Sequence, residues 1–367
     1  MKNIVIFNEH WLSGGVESLF MNLISNITDN DLKITILVTQ KESDVYDSFL
    51  AQANIKLISI FDKPIANPII RTLKNSRGFK KKIKELNPDI LHINSCNAYC
   101  LKLAYFAKKL GIKNVIVHSH NTEIEHDKLG IKEFAHRYWI KRFVKYPDYF
   151  FGCSTESLEF MYHSTDGHLV KNGVNLDRFK FDTKSREEIR KKHDILDEEI
   201  VLGHVGRFSN QKNHKFLIDI FDSYLKVNWK AKLLLVGEGE LEEEIKDYVK
   251  EYHLDDKVIF VGKTSEVEKY YSAFDIFLLP SFHEGLPVVA IEAQASNLPT
   301  ILSDKISKET KVNDDVSFIS IDDTKLWVNE IEKYHNYKRV FDQGKLKSAG
   351  FDIVDSAEKL EDFYKNI

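Results

Sequence analysis

The sequence predicts an α/β protein of two similar domains, each a parallel sheet crossed by helices. Three observations predict it. At 367 residues the chain exceeds the size at which one hydrophobic core keeps growing. Short apolar, β-branched runs recur along it, each followed by a segment of helical periodicity, the pattern of parallel strands with crossover helices. These runs fall into two comparable sets, divided by a turn at Asn172 and Gly173 and a charged linker behind it.

In the first half, strands are expected at Ile4 to Phe7, Ile34 to Val38, Ile55 to Ile60, Ile90 to Ile93, Val115 to Val117 and Tyr149 to Cys153. In the second they are expected at Val201 to Val205, Leu233 to Val236, Val258 to Val261, Ile276 to Leu279, Pro299 to Leu302 and Phe318 to Ile321. The domains are expected at residues 1–175 and 176–350, with Asp182 to Lys192 as a surface helix near the boundary. In the remaining segment, 351–367, Ile353, Val354, Leu360, Phe363 and Tyr364 recur at helical spacing. That helix is expected to pack back on the N-terminal domain.

Hydrophobic residues at 43% and charged residues at 29% fit a soluble globular protein and exclude a disordered or fibrous one. The run Ile4 to Phe7 is too short for a signal-peptide core and is closed by Asn8, Glu9 and His10. Nowhere do roughly 18 uninterrupted apolar residues offer a spanning helix. Cys96, Cys100 and Cys153 have neither disulfide density nor paired metal-ligand spacing, so a reducing cytoplasm is expected. The chain is acidic, at a formal charge of −4, without aromatic–basic interleaving, and nucleic acid is not expected as a partner. One helix is strongly basic, with Arg71, Lys74, Arg77, Lys80, Lys81, Lys82 and Lys84: either a patch for peripheral contact with an anionic membrane or a solvated face.

The chemistry is sought at the strand ends. After the first strand, Gly14 and Gly15 open onto a helix beginning near Val16, where unpaired N–H groups and a positive dipole end suit an anion. A second strand–turn–helix unit carries Gly237, Glu238 and Gly239. A dinucleotide fingerprint is disfavoured there, because Glu242 stands where its third glycine belongs. In HVGRFSNQKNH, Gly206 permits a turn, and Arg207 and Lys212 offer a rigid fork and a mobile point charge suited to a diphosphate. In LLPSFHEGLPVVAIEAQASN, Glu284 precedes a helix starting near Pro287, and Glu292 lies within it. Asn297 is expected to end that helix left-handed. His118 and His120 alternate onto one strand face with His126 nearby, but the metal reading is set aside because the Arg and Lys pair neutralises a diphosphate without a divalent ion.

At these residues the chain resembles the retaining glycosyltransferases of family 4, whose GT-B fold has two Rossmann-like domains with parallel sheets facing across a cleft. The matches run in order: GGVE from Gly14 to Glu17, HSHN from His118 to Asn121, NGV from Asn172 to Val174, Gly206 and Arg207 followed by Lys212, VGEGE from Val236 to Glu240, and E-x7-E from Glu284 to Glu292. The sequence departs from the family pattern at Asn175 and Asn297, where the family has Asp and Gly.

The resemblance implies Arg207 and Lys212 on the donor diphosphate, Glu284 at the transferred sugar and Glu292 on the nucleotide ribose. It implies that the backbone of Gly285, Leu286 and Pro287 at the helix start meets the donor, with Gly206, Gly237 and Glu238 around it. Gly14, Gly15 and Asn121 are implied on the acceptor side, Gly15 also bringing its loop to the donor, with His120 by the reacting sugar, His118 being the alternative. The implied reaction moves a hexose or N-acetylhexosamine from a nucleotide sugar, UDP in the first place, to a saccharide or lipid-linked acceptor of bacterial surface polysaccharide. No cofactor and no metal are expected. The alternatives are a nucleotide-sugar epimerase on the same scaffold and a non-catalytic partner subunit.

Overall fold

The structure is a computed structural model that describes residues 1–9, 11, 15–62, 65, 68–95, 97–121, 130–340 and 342–367, with the backbone alone at 15, 18 and 68–73. The chain divides into two compact units, Met1–Asn172 with Ile353–Ile367, and Gly173–Asp352. The division falls three residues before the expected one, and the last helix belongs to the first unit.

Among its described residues unit 1 holds seven strands: β1 Lys2–Asn8, β2 Leu32–Val38, β3 Lys56–Ser59, β4 Ile90–Ser95, β5 Asn114–Ser119, β6 Tyr149–Gly152 and β7 His168–Leu169. All pair in parallel, in the order β3-β2-β1-β4-β5-β6-β7. The two-residue β7, with both residues exposed, is too short and polar to carry a periodic signal and was absent from the sequence expectation. Successive residues of β1 serve opposite faces: Ile4 and Ile6 pack into one core with Leu19, Leu23 and Leu360, Val5 and Phe7 into the other with Phe79, Leu101 and Ile140. The closing helix Ile353–Asn366 fills part of the first core with Ile353, Ala357, Leu360 and Tyr364, whereas Val354 is exposed. Its end is anchored by the Lys2 ammonium, which donates to the carbonyls of Tyr364 and Lys365 at 3.1 and 2.6 Å.

Among its described residues unit 2 holds six parallel strands: β8 Ile200–Val205, β9 Ala231–Val236, β10 Val258–Gly262, β11 Ile276–Leu279, β12 Thr300–Ser303 and β13 Val316–Ile319, in the order β10-β9-β8-β11-β12-β13. The last strand begins two residues before the expected Phe318, since Val316 pairs with Thr300. The helix Thr183–Lys192 is not wholly solvated: Arg190 is buried, and it and Arg186 reach the Asp275 carboxylate at 3.3 and 2.7 Å. A helix whose sequence is almost all charge thus docks through two paired guanidiniums, which a purely apolar pattern cannot reveal.

Candidate active site

In open parallel sheets, ligands sit beyond the carboxyl ends of the strands, at the place where the strand order reverses. Unit 2 reverses between β8 and β11. The segment after β8 carries Gly206, Arg207 and Lys212, and the segment after β11 carries Ser281 to Pro287, so topology alone sets the two motifs side by side. Hydrogen bonds lock them together. Phe282 N donates to Gln211 O at 2.9 Å, the Gln211 amide donates to His283 O at 2.9 Å, and the Asn213 amide to Pro280 O at 3.2 Å.

Within this frame the Lys212 ammonium meets a Glu284 carboxylate oxygen at 2.6 Å, with both side chains largely buried. Buried Ser281 donates its hydroxyl to the same oxygen at 3.1 Å. The Glu284 carbonyl accepts from Ser307 N at 3.1 Å, fixing the loop from its other side. Gly206 is required where it stands: a Cβ there would lie 2.9 Å from His204 Nε2 and 3.4 Å from the Lys212 stem. Gly237, at φ +142°, would clash with the Gly206 carbonyl, and Gly239 with the Phe208 backbone. These glycines let the loops after β8 and β9 cross at contact distance, a local reason for the Val236–Glu240 motif that needs no dinucleotide.

The other charged residues are placed differently. Arg207 is exposed and donates to Glu240 at 3.0 Å, while Glu238 pairs with Lys263 at 3.5 Å on the surface. Glu292 lies on the helix Val288–Ala295, which starts directly after Pro287 and ends before Asn297 at φ 52°. Pro287 itself has extended φ/ψ and caps the helix rather than entering its first turn. Most of the helix is buried, and desolvation pushes the Glu292 carboxyl up to about 7, against the Tyr271 hydroxyl that donates to it at 2.8 Å. The four charged side chains therefore form one direct pair, Lys212 with Glu284, and two separate stations at Arg207 and Glu292. Ser281, Gln211 and Tyr271 were missed by sequence reasoning. Ser281, three residues before Glu284 at a strand end, was the legible one.

In unit 1 the order reverses between β1 and β4. The helix Gly15–Ser25 opens after β1 at Gly15, and Gly14 lies outside the described residues, as does His126. His118 is fully buried within β5, whereas His120 lies just past the strand end and is half-buried beside Asn121. Their rings stack at 4.2 Å. His120 Nε2 stands 3.1 Å from Asn94 Oδ1, and the Asn94 amide donates to Asn8 Oδ1 at 2.7 Å. In this arrangement Asn94 Oδ1 is the acceptor, so His120 carries its proton on Nε2 and its Nδ1 lone pair has no partner among the described residues. Burial lowers the His120 pKa to about 3, which keeps the ring neutral. Among the described residues no group of three His, Cys, Asp or Glu is arranged to hold a metal ion, and no helix is long and apolar enough to cross a membrane.

Two parallel α/β units, each with polar or charged residues near the reversal point of its sheet, make a two-domain Rossmann-like architecture of the GT-B type, and the family comparisons agree. A model of the glycosyl transferases group 1 matches residues 185–336, and a glycosyltransferase family 4 model matches residues 13–178. The chain belongs to these GT-B glycosyltransferases. It is 27% identical over 309 residues to EpsF of Bacillus subtilis, named as a glycosyltransferase, covering 81% of this chain and 77% of that one. It is 24% identical over 363 residues to the N-acetylgalactosamine-N,N'-diacetylbacillosaminyl-diphospho-undecaprenol 4-alpha-N-acetylgalactosaminyltransferase of Campylobacter jejuni, covering 95% and 93% of the two chains. HepE of Anabaena, solved with UDP and glucose, shares the fold at a TM-score of 0.73 and 15% identity over 98% of this chain and 95% of that one.

Proposed function

We propose that this glycosyltransferase retains anomeric configuration and moves a hexose or N-acetylhexosamine from a UDP-sugar to a saccharide or lipid-linked acceptor of bacterial surface polysaccharide. The observation that carries the reading is the Lys212–Glu284 pair. A cation and a carboxylate in contact at a sheet's reversal point are the two halves of a sugar-diphosphate site, each satisfying the other until the donor arrives. The diphosphate then takes the ammonium, and the carboxylate turns to the sugar hydroxyls.

Arg207 adds a second cation at little cost, because an exposed ion pair such as Arg207–Glu240 contributes only about 0–1 kcal/mol and a phosphate outcompetes it. The amides of Gly285 and Leu286, ahead of the helix Val288–Ala295, receive the remaining phosphate oxygens. Glu292 accepts from the ribose hydroxyls. On the acceptor side, His120 is preferred over His118, since His118 is fully buried within β5 and His120 stands half-buried just past the strand end. Glu284 positions and stabilises charge and forms no covalent bond. Relatives named for UDP-galactose and for undecaprenyl-diphosphate acceptors support the donor and acceptor classes.

A panel of UDP-sugars read by thermal shift tests the donor. The right one, at a hundredfold excess over its Kd, stabilises by about 2.7 kcal/mol. A panel in which no nucleotide sugar shifts the wild type defeats the reading. Peripheral contact with anionic membrane is part of the same proposal. The basic helix exposes Lys74, Arg77, Lys80, Lys81 and Lys84, and the helix Ile131–Phe143 exposes Ile131, Phe134 and Tyr138. Sedimentation with phosphatidylglycerol vesicles, and its absence with phosphatidylcholine, is the expected result.

A further inference from the structure

Behind the stacked His118 and His120 lies a third ring that the donor and acceptor chemistry does not use. His92, in the middle of β4, is fully buried, with Nδ1 2.7 Å from the Tyr364 hydroxyl and Nε2 3.2 Å from His118 Nδ1. Tyr364 is the buried aromatic residue near the end of the chain's last helix, which returns to unit 1 after the whole of unit 2. Phe20 lays its edge against all three histidines at 5.1, 5.7 and 5.9 Å. Phe20, His92, His118 and Tyr364 are all buried.

Donor and acceptor strength gives the chain of bonds its direction. A buried phenol holds its proton, as burial raises the Tyr364 pKa, and a buried O–H needs an acceptor. Among the described residues His92 Nδ1 is the acceptor in reach. Burial also keeps the His92 ring neutral, so with Nδ1 accepting, its single proton sits on Nε2 and is donated to His118 Nδ1. His118, neutral for the same reason, then carries its proton on Nε2, which has no partner among the described residues. Either order leaves one donor and one acceptor over: this one leaves an imidazole N–H and a phenol oxygen, the reverse leaves the stronger donor and the stronger acceptor, the phenolic proton and an imidazole lone pair.

We propose that Tyr364 is a positioning residue for the acceptor-side histidines: its hydroxyl proton sets the tautomer of His92 and through it that of His118, whose ring stacks on His120. A fixed tautomer gives His118 one dipole direction and one ring orientation against the face of His120. Without the phenol proton, both orders of the chain become accessible, and the surface on which His120 rests is no longer single. This inference rests on the assignment of His120 to the reacting sugar.

The test uses the full chain, 15N-labelled, and reads imidazole tautomers by long-range proton–nitrogen correlation near neutral pH. Wild type is expected to show His92 and His118 both protonated on Nε2. In Tyr364→Phe, which keeps the ring and its packing, the His92 and His118 nitrogens move toward tautomer-averaged values while the fold is retained. Turnover falls roughly tenfold with donor KM unchanged, the loss of about one hydrogen bond's worth of organisation. In a His92→Phe background, Tyr364→Phe has no further effect on turnover.

Wild-type rings protonated on Nδ1, or His118 signals indifferent to Tyr364→Phe, overturn the relay. A His120→Ala variant of full activity, seen together with the expected tautomers, overturns the assignment of His120 and with it the positioning role, leaving only the relay.

Discussion

The two units share a strand order yet furnish their reversal points with opposite electrostatics. In unit 2, between β8 and β11, a charged pair stands ready, Lys212 against Glu284, with Ser281 on the shared oxygen. In unit 1, on β1, β4 and β5 and just past β5, the polar groups are neutral rings and amides, His92, His118, His120, Asn94 and Asn8, joined by hydrogen bonds, with the three rings packed against Phe20. Burial explains the difference. A dry site cannot keep an imidazolium, and His92 and His120 are both depressed to about 3. In unit 2 the ammonium and the carboxylate are in direct contact, and that contact offsets the desolvation of both charges. Unit 2 is therefore suited to holding an anion, unit 1 to accepting a hydrogen bond without carrying charge.

The sharpest way to break this contrast is to remove the charges. Lys212→Ala or Glu284→Ala is expected to lower turnover by about 10²–10³-fold with the circular dichroism of the wild type. Near-normal rates in both would leave the ion pair without a role in the reaction. Removing the neutral ring should cost less. His120→Ala is expected to lose on the order of 10²-fold in turnover while its affinity for UDP, measured by calorimetry, stays unchanged. Equal losses of UDP affinity in His120→Ala and Lys212→Ala would dissolve the division of labour.

pH separates the units further. Glu292, raised to about 7 from its ordinary 4.5, binds a proton in the folded state that the unfolded chain has already released between these values. Its contribution is favourable at pH 4.5 and is lost as pH rises toward 7, up to a bound on the order of 3 kcal/mol. Glu292→Gln should therefore raise the Tm at pH 8 and change it little near pH 5. The histidines act with the opposite sign. Rings that titrate near 3 folded and near 6.5 unfolded cost nothing above 6.5 and destabilise progressively as pH falls toward 3. Phenylalanine at His92 should flatten that acid limb in thermal melts across this window. The smallest effect is expected from EDTA, which should leave turnover unaltered, since Arg207 and Lys212 supply the positive charge. Loss with EDTA and recovery with magnesium or manganese would contradict the proposal.

Twelve of the thirteen strands, and the helix carrying Glu292, were legible because their signals are local: β-branched runs of period two or continuous burial, and an apolar run ended by Asn297 at positive φ. What stayed illegible was non-local. Arg186 and Arg190 read as solvated charge because their partner Asp275 lies more than eighty residues away. His92 read as an ordinary strand residue because its neighbours come from β5 and from the last helix.

By itself the sequence determined the class of the protein, since strand periodicity, glycines at strand ends and the order of GGVE, HSHN, GR followed by K and E-x7-E are properties of the chain read in one dimension. Only the tertiary structure decided which charges touch. It set Lys212 on Glu284, left Arg207 on the surface with Glu240, and gave Glu292 a tyrosine. It also brought the last helix to the histidine rings of unit 1. Contact and burial depend on which strands become neighbours, and desolvation then decides whether a titratable group keeps its charge.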